Sequence, residues 1–286
     1  MINELLKAPV KFVNYESAAA ENLNKQDFTA DNLSKESYYK KWREALPSLK
    51  SEIERGIKKN FNETSDILDK LVRFYAGTSQ ICTLRKKDFE FFTKFNVLDT
   101  AKFEGSNKYI KYFGFKEGTA YIFRNSFEVL FYNNPKEFVV ALKTKYNDKI
   151  YLYRNNESKT LDILYKDMLS KAAEYKGNKT LIDGDEFKCP MIDYKVYKEF
   201  SDFYYKEIQG TDLVISKAIE TIDFKMNVAA VKLKSEAVIS IGKGVGIRPQ
   251  RVSRRFSFDG SFVMFIEEEG KKPYFAMRVA DAAKLQ

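Results

Sequence analysis

From residue 81 onward the chain breaks into short apolar runs closed by turn residues, and this rhythm constrains the fold more than any other feature. The runs are 81–84, 109–115, 119–124, 127–132, 138–144 and 150–154. Gly118, Asn125-Ser126, Asn133-Asn134-Pro135 and Asn147-Asp148 stand between or after them. Runs this short, bounded by such residues, predict strands joined by tight turns. Two stretches break the rhythm with helical spacing. Residues 86–95 place Phe89, Phe92 and Phe95 on one side, and residues 161–175 form a helical pattern closed by Gly177.

The same order then returns. Residues 187–189 are strand-like, and 192–208 predict a helix with Val196, Phe200 and Phe203 on one face. Strands are expected at 213–219, 222–227, 229–233 and 237–241. A hairpin, 256–267 with 273–279, is turned by Glu268-Glu269-Gly270-Lys271-Lys272. The first 80 residues read as helical. Leu49, Ile53 and Ile57 recur every four residues. Ile67, Leu68, Leu71, Val72 and Tyr75 form a second stripe, with Ser65 and Asp66 placed to cap it and Gly77 to end it. Pro47 separates an earlier helix containing Trp42, the only tryptophan. The expectation is therefore an α+β protein: a helical segment over 1–80, then two similar β-rich strand–helix–multistrand units over 81–186 and 187–286.

Composition removes several kinds of chemistry. The 286 residues contain no histidine, so Ser-His and Cys-His nucleophile pairs and zinc sites with imidazole ligands are excluded. Cys82 and Cys189 are far apart and make no metal motif, as expected of a reduced, cytoplasmic chain. No run approaches 18 apolar residues and the start lacks a signal-peptide pattern, so no membrane association is expected. No ordered triad appears, so the chain is expected not to be an enzyme and to need no cofactor or metal. Glu267-Glu268-Glu269 reads as a solvated turn, and Asp183-Gly184-Asp185-Glu186 as a fragment of a calcium loop without the remaining ligands.

The formal charge is +9, carried mostly by the β-rich part, since residues 1–80 contribute only about +1. Charge of this sign favours anionic partners, or serves solubility alone. Its densest expression is the glycine-rich loop 242–255, with Lys243, Arg248, Arg251, Arg254 and Arg255 and no acid. The loop lacks the Gly-Lys-Ser/Thr ending of a phosphate-binding loop, and no helix pattern follows it. Each of its cations could neutralise a backbone phosphate. Lys108, Tyr109 and Lys111 offer a second candidate contact, lysines beside aromatic rings that could stack bases. Strand alternation puts Tyr109, Lys111 and Phe113 on one face and Lys108, Ile110 and Tyr112 on the other. These residues give an expected partner, DNA or RNA. The N-terminal helices are candidates for a homo-oligomer or protein contact.

Two families are similar in part. The repeated strand–helix–multistrand order resembles DNA sliding clamps, and Pro273 to Val279 is similar to the closing strand of bacterial clamps. That resemblance implies a clamp-like fold and a role as a replication or transcription accessory factor. The stretch Phe256-Ser257-Phe258-Asp259-Gly260-Ser261-Phe262-Val263-Met264-Phe265-Ile266 is similar to the C-terminal signature of serpins, with Gly260 as the departure. It implies that residues 224–238 lie at the serpin hinge and that the basic loop is the reactive loop. Lys232, Leu233, Lys234 and Glu236 stand where the hinge of an inserting loop has small residues. The alternative reading is thus a serpin-like, non-inhibitory protease-interaction protein, beside the leading one of nucleic-acid binding and a third of a basic scaffold.

Overall fold

The computed structural model describes residues 9–16, 21, 34, 37–44, 47–62, 64–65, 68, 79–85, 90–155, 157–215, 218–228 and 253–286. The chain divides into two compact units, one of Met1–Lys87 with Lys195–Asp223 and one of Asp88–Tyr194 with Phe224–Gln286.

In the first unit, strand β1 (Tyr38–Glu44) pairs antiparallel with β2 (Ser79–Arg85). Between them lies helix α1 (Pro47–Phe61), opened by a proline whose missing N–H costs nothing at a helix start. Leu49, Ile53 and Ile57 are fully buried with Leu68, as their spacing predicts. The stretch around Trp42 corrects the reading of 1–80 as helical, because it is strand β1. The expected helix over 67–75 lies outside the described residues apart from Leu68. Elsewhere in the unit, Val10 and Phe12 bury against Phe203 and Ile208. Val13 N–H donates to the Glu207 carbonyl at 2.9 Å, and Gln209 N–H donates to Lys11 at 2.8 Å.

The second unit holds two sheets. The smaller contains β3 (Asn96–Lys102), β4 (Tyr109–Phe115), β8 (Glu186–Pro190) and β11 (Arg255–Ser257) in the order β11-β8-β4-β3. The larger contains β5 (Phe127–Asn134), β6 (Glu137–Lys143), β7 (Asp148–Arg154), β12 (Phe262–Glu268) and β13 (Phe275–Val279) in the order β13-β12-β7-β6-β5. One core is dominated by phenylalanine: Phe113, Phe115, Phe187, Phe256 and Phe258 from the smaller sheet and its border meet Phe127, Phe138 and Phe262 of the larger. Rings such as Phe127 and Phe187 meet edge to face at 4.9 Å. The other face of the larger sheet, through Val139, Ala141, Tyr151, Tyr153, Val263 and Phe265, lies under Leu164 and Met168 of helix α2 (Leu161–Glu174). Both faces of β7 and β12 are therefore covered, which is why these strands read as nearly unbroken apolar runs. Gly114 must be glycine: its φ is +155°, and a Cβ there would lie 1.8 Å from the Phe187 carbonyl oxygen.

These topologies correct the idea of two successive, similar units. β8 and β11 belong to the sheet of β3 and β4, and β12 and β13 belong to the sheet of β5–β7. The segments 81–186 and 187–286 thus interleave instead of each forming its own sheet. Two elements also change type. The stretch expected as a helix over 192–208 is strand β9 (Ile192–Glu199) followed by a single 3-10 turn, and β9 pairs with β10 (Ile219–Met226). The expected strand at 119–124 is a 3-10 turn, Ala120–Phe123. In the expected helix 86–95, Phe91 instead makes a β-bridge to Thr144. The expected strands at 229–233 and 237–241 lie outside the described residues.

Candidate functional site

Strand β10 ends at Met226, and the described chain resumes at Ser253, immediately before β11. The basic stretch therefore directly precedes β11 in sequence, and β11, at the end of the smaller sheet among the described residues, pairs in parallel with β8. Lys243, Arg248 and Arg251 lie outside the described residues. Arg254 and Arg255 are described, and they are unlike each other.

Arg254 is 7% exposed. Its N–H donates to Asp185 Oδ1 at 2.9 Å, its Nε to the same oxygen at 3.2 Å, and its Nη2 to Oδ2 at 2.7 Å. Nη2 also reaches the Thr180 carbonyl at 2.8 Å, Nη1 donates to the Asn178 carbonyl, and the guanidinium lies over the Phe256 ring at 5.3 Å. Asp185 is fully buried and accepts a further bond from Ile182 N–H at 2.9 Å. The acid of the supposed calcium fragment is thus the partner of the supposed phosphate contact. Four of the five guanidinium donors of Arg254 are thus taken up within the chain and the side chain is buried, so little of it is left to meet an outside anion. Arg255 is largely exposed and pairs with Glu186 at 2.9 Å.

The second candidate patch lies elsewhere on the sheet. Tyr109 and Lys111 at the start of β4 are exposed while Ile110 and Tyr112 are buried, as alternation predicts, and Lys108, which the same alternation would put with Ile110, is exposed because it precedes the strand. Phe113, on the same face as Tyr109 and Lys111 by alternation, is fully buried. Arg255 stands level with Glu186, whereas the Lys111 carbonyl accepts from Met191 N–H at 3.0 Å. The two patches are therefore five residues apart along this chain direction, about 16 Å. They form no continuous basic stripe. Tyr109 is covered in part by Lys102, whose Nζ is 5.5 Å from the ring centroid.

The acidic turn hides groups that the sequence did not single out. Glu267 and Glu268 are buried instead of solvated. Glu267 accepts the hydroxyls of Tyr151 at 2.7 Å and Tyr165 at 2.5 Å, tying α2 to the sheet. Beside this pair, Tyr153 donates to Asp167, and Lys171 reaches Tyr153 Oη at 2.6 Å and Glu137 at 2.9 Å. Burial, followed by the bond to Asp167, raises the Tyr153 phenol to about 12, and burial followed by the bond to Glu267 raises Tyr151 and Tyr165 as well. The Lys171 ammonium is raised despite its partial burial, because three acceptors hold its proton. These groups keep their protons and fasten the helix, and none is poised for proton transfer at neutral pH. The Cys189 thiol, fully buried, is pushed well up by burial and is not a nucleophile. Around the β6–β7 turn a depression of about 260 Å³ is lined by Phe92, Lys143, Lys145, Lys149 and Glu269. Its lysines pair with Glu128, Glu90 and Glu269 respectively. Among the described residues no group of three or more His, Cys, Asp or Glu could hold a metal ion, and no helix is long and apolar enough to cross a membrane.

No family model matches the chain, and no curated protein does. Solved structures do. Serpin48, a highly specific serpin of the insect Tenebrio molitor, is similar with a TM-score of 0.52 and 14% identity over 97% of this chain and 83% of that one. Human thyroxine-binding globulin complexed with thyroxine is similar with a TM-score of 0.51 and 10% identity over 84% of this chain. Human glycosylated kallistatin is similar with a TM-score of 0.51 and 10% identity over 81% of this chain. The chain spans about 65% of the thyroxine-binding globulin chain and 63% of kallistatin. These likenesses overturn the sliding-clamp resemblance, and with it the reading of a nucleic-acid-binding accessory factor with DNA or RNA as partner. Together with the interleaved sheets, they show that this chain has the serpin fold.

Proposed function

We propose that the protein is a non-enzymatic, serpin-like partner of proteases that cut after basic residues, and that it meets them through residues 242–252. The observation that carries this reading is the position of that basic stretch on a serpin fold: it immediately precedes β11 and the C-terminal hairpin. A protease of trypsin type carries an acidic group at the base of its specificity pocket, which takes a lysine or arginine side chain. Lys243-Gly244 and Arg251-Val252 are bonds of the required kind. Arg248 is followed by Pro249, whose fixed φ and missing N–H make that bond a poor substrate.

The protein engages such a protease without inserting the stretch as a new strand. Lys232, Lys234 and Glu236 would each have to bury a charge on insertion, at a cost of several kcal/mol per ion when unpaired.

The test is incubation of the folded protein with proteases of trypsin type, followed by denaturing electrophoresis and mass spectrometry. The expected result is cleavage within 242–252 and recovery of active protease. Folded protein that is neither bound nor cut there refutes the proposal. A denaturation-resistant complex with the protease refutes its non-inhibitory part.

A further inference from the structure

In the first unit, residues 11–13 lie antiparallel along 207–209. The Phe12–Ile208 bridge is flanked by the backbone bonds that Val13 N–H and Gln209 N–H donate across it. Side chains alternate as on a strand: Val10 and Phe12 are buried, while Lys11 and Val13 are exposed. Phe12 stacks on Phe203 at 5.6 Å, and Ile208 completes the apolar surface beneath it. The chain turns at Asn14, whose φ is +52°, and Tyr15 comes back edge to face on Phe12 at 5.9 Å. Lys206 Nζ lies over the Tyr15 ring at 4.6 Å.

This is the geometry of strand addition. Main-chain bonds hold an extended peptide to an edge, and pockets for alternate side chains select it. Here the peptide belongs to the chain itself. The stretch that receives it is acidic: residues 201–212 carry Asp202, Glu207 and Asp212 against Lys206 alone, in a chain of net charge +9. The added segment brings one cation, Lys11, between its two buried side chains.

We infer that the groove along residues 203–209 is a strand-addition site for a partner protein, and that residues 10–15 are its displaceable plug. The segment it takes is extended and basic, with an aliphatic and an aromatic residue two positions apart, as Val10 and Phe12 are. A second copy of this chain is a poor occupant. Exchange between copies replaces a contact by an identical one, and a tethered segment competes at an effective concentration on the order of 1 mM. Below that concentration only a sequence that fits better than the plug takes the groove. Charge supplies the advantage: a segment with more cations than the plug's single lysine gains attraction to the acidic stretch and is steered to it faster.

The test uses the full chain with Phe12→Ala, which vacates the groove, and two fluorescent synthetic peptides. One has the sequence of residues 9–15, and the other carries Val13→Lys and Asn14→Lys at the positions next to the turn. By anisotropy, the first should bind the vacated chain at least about 10-fold more tightly than the unaltered chain, where the plug competes. The second should bind about 5-fold more tightly than the first at low salt, a gain that added salt removes. Phe12→Ala in either peptide, or Ile208→Asp in the vacated chain, should weaken binding by about 10-fold or more. Should the Phe12→Ala chain fail to fold, Val13→Pro, which removes the N–H that Glu207 accepts, takes its place. Absence of binding to the folded, vacated chain at about 1 mM peptide, or equal binding to vacated and unaltered chains, overturns the inference. Equal affinity of the two peptides overturns the basic character of the partner. Dimers of the unaltered chain below about 0.1 mM that are lost in Phe12→Ala would give the groove to a second copy and overturn the assignment to a partner protein.

Discussion

Gly260, the departure from the serpin signature, is the position where a one-carbon change should be felt most clearly. A Cβ there would lie 2.1 Å from Glu104 Oε2 and 2.4 and 2.5 Å from Arg154 Nη2 and Nη1. The Glu104 carboxylate is 61% exposed and can swing away, but the Arg154 side chain is only 2% exposed and cannot. Displacing that guanidinium breaks its 2.7 Å bond to the Ser261 carbonyl. A hydrogen bond from a charged group contributes about 1.5–3 kcal/mol. The ion pair with Glu104 adds little, because its partner is solvated. Replacing glycine returns about 0.4–1 kcal/mol by restricting the unfolded chain. Gly260→Ala should then destabilise the second unit by about 1–2 kcal/mol, or about 3–6 °C in melting temperature for a unit of this size. Calorimetry with a urea titration measures both. The decisive control is Arg154→Met, in which Gly260→Ala should cost less than about 0.5 kcal/mol, because the clash partner is gone. An unchanged or raised melting temperature in the single variant, or equal costs in both backgrounds, refutes the account.

Cutting within 242–252 should shift the melting temperature by only a few degrees, and a rise of ten degrees or more on calorimetry would mean that the segment inserts as a strand. Arg255→Ala should cost less than about 0.5 kcal/mol, because the side chain is exposed, whereas Arg254→Ala should cost about 3–5 kcal/mol by stranding buried Asp185; equal effects in urea titrations would contradict the geometry. Tyr151, Tyr153 and Tyr165 titrate above their ordinary value of 10 when folded, so the unfolded chain loses those protons first and stability should fall from about pH 10 upward, by up to about 1.4 kcal/mol per pH unit for each tyrosine. Replacing each by phenylalanine in turn should flatten that fall, and a flat profile between pH 10 and 12 would show that the phenols are not held. Cys189 should react with a thiol reagent no faster than the second unit opens, and rapid labelling in native buffer would contradict its burial.

The sequence made local structure legible where periodicity and turn chemistry agree. Strands β4 to β7, helix α2 and the C-terminal hairpin stand close to where alternation and the flanking Asn, Pro and Gly residues put them. It misled where one stretch satisfies two periods. Val196, Phe200 and Phe203 fit a helical face, but Ile192, Tyr194 and Val196 also recur every second residue, and pairing with β10 selected the strand. Long-range pairing was invisible in principle. Nothing near Glu267 announces that tyrosines 116 and 102 residues earlier will close over it, so an acidic turn and a buried bolt look the same. Arg254 is the corresponding case at the candidate site. Its neighbours in sequence are cations, which suggested an anion contact, and its partner lies 69 residues away. The serpin-like signature was legible from residues 256–266, whereas the clamp-like repeat dissolved once the strand pairings were known, because linear order does not say which strands share a sheet.

The place of β12 sets a timetable for synthesis. It fills the gap between β7 and β13, and its residues pair with partners more than a hundred positions earlier in the chain. A ribosome making this protein releases β5, β6 and β7 long before β12 exists, so β7 waits as an open edge with Ile150, Leu152 and their neighbours uncovered. Closure at such separation is slow, and an unpaired apolar edge invites association between nascent chains. The cell that makes this protein must therefore shelter a half-built sheet until β12 and β13 emerge, and the yield of folded chain will depend on how fast the stretch that carries them is translated and how well the waiting edge is chaperoned.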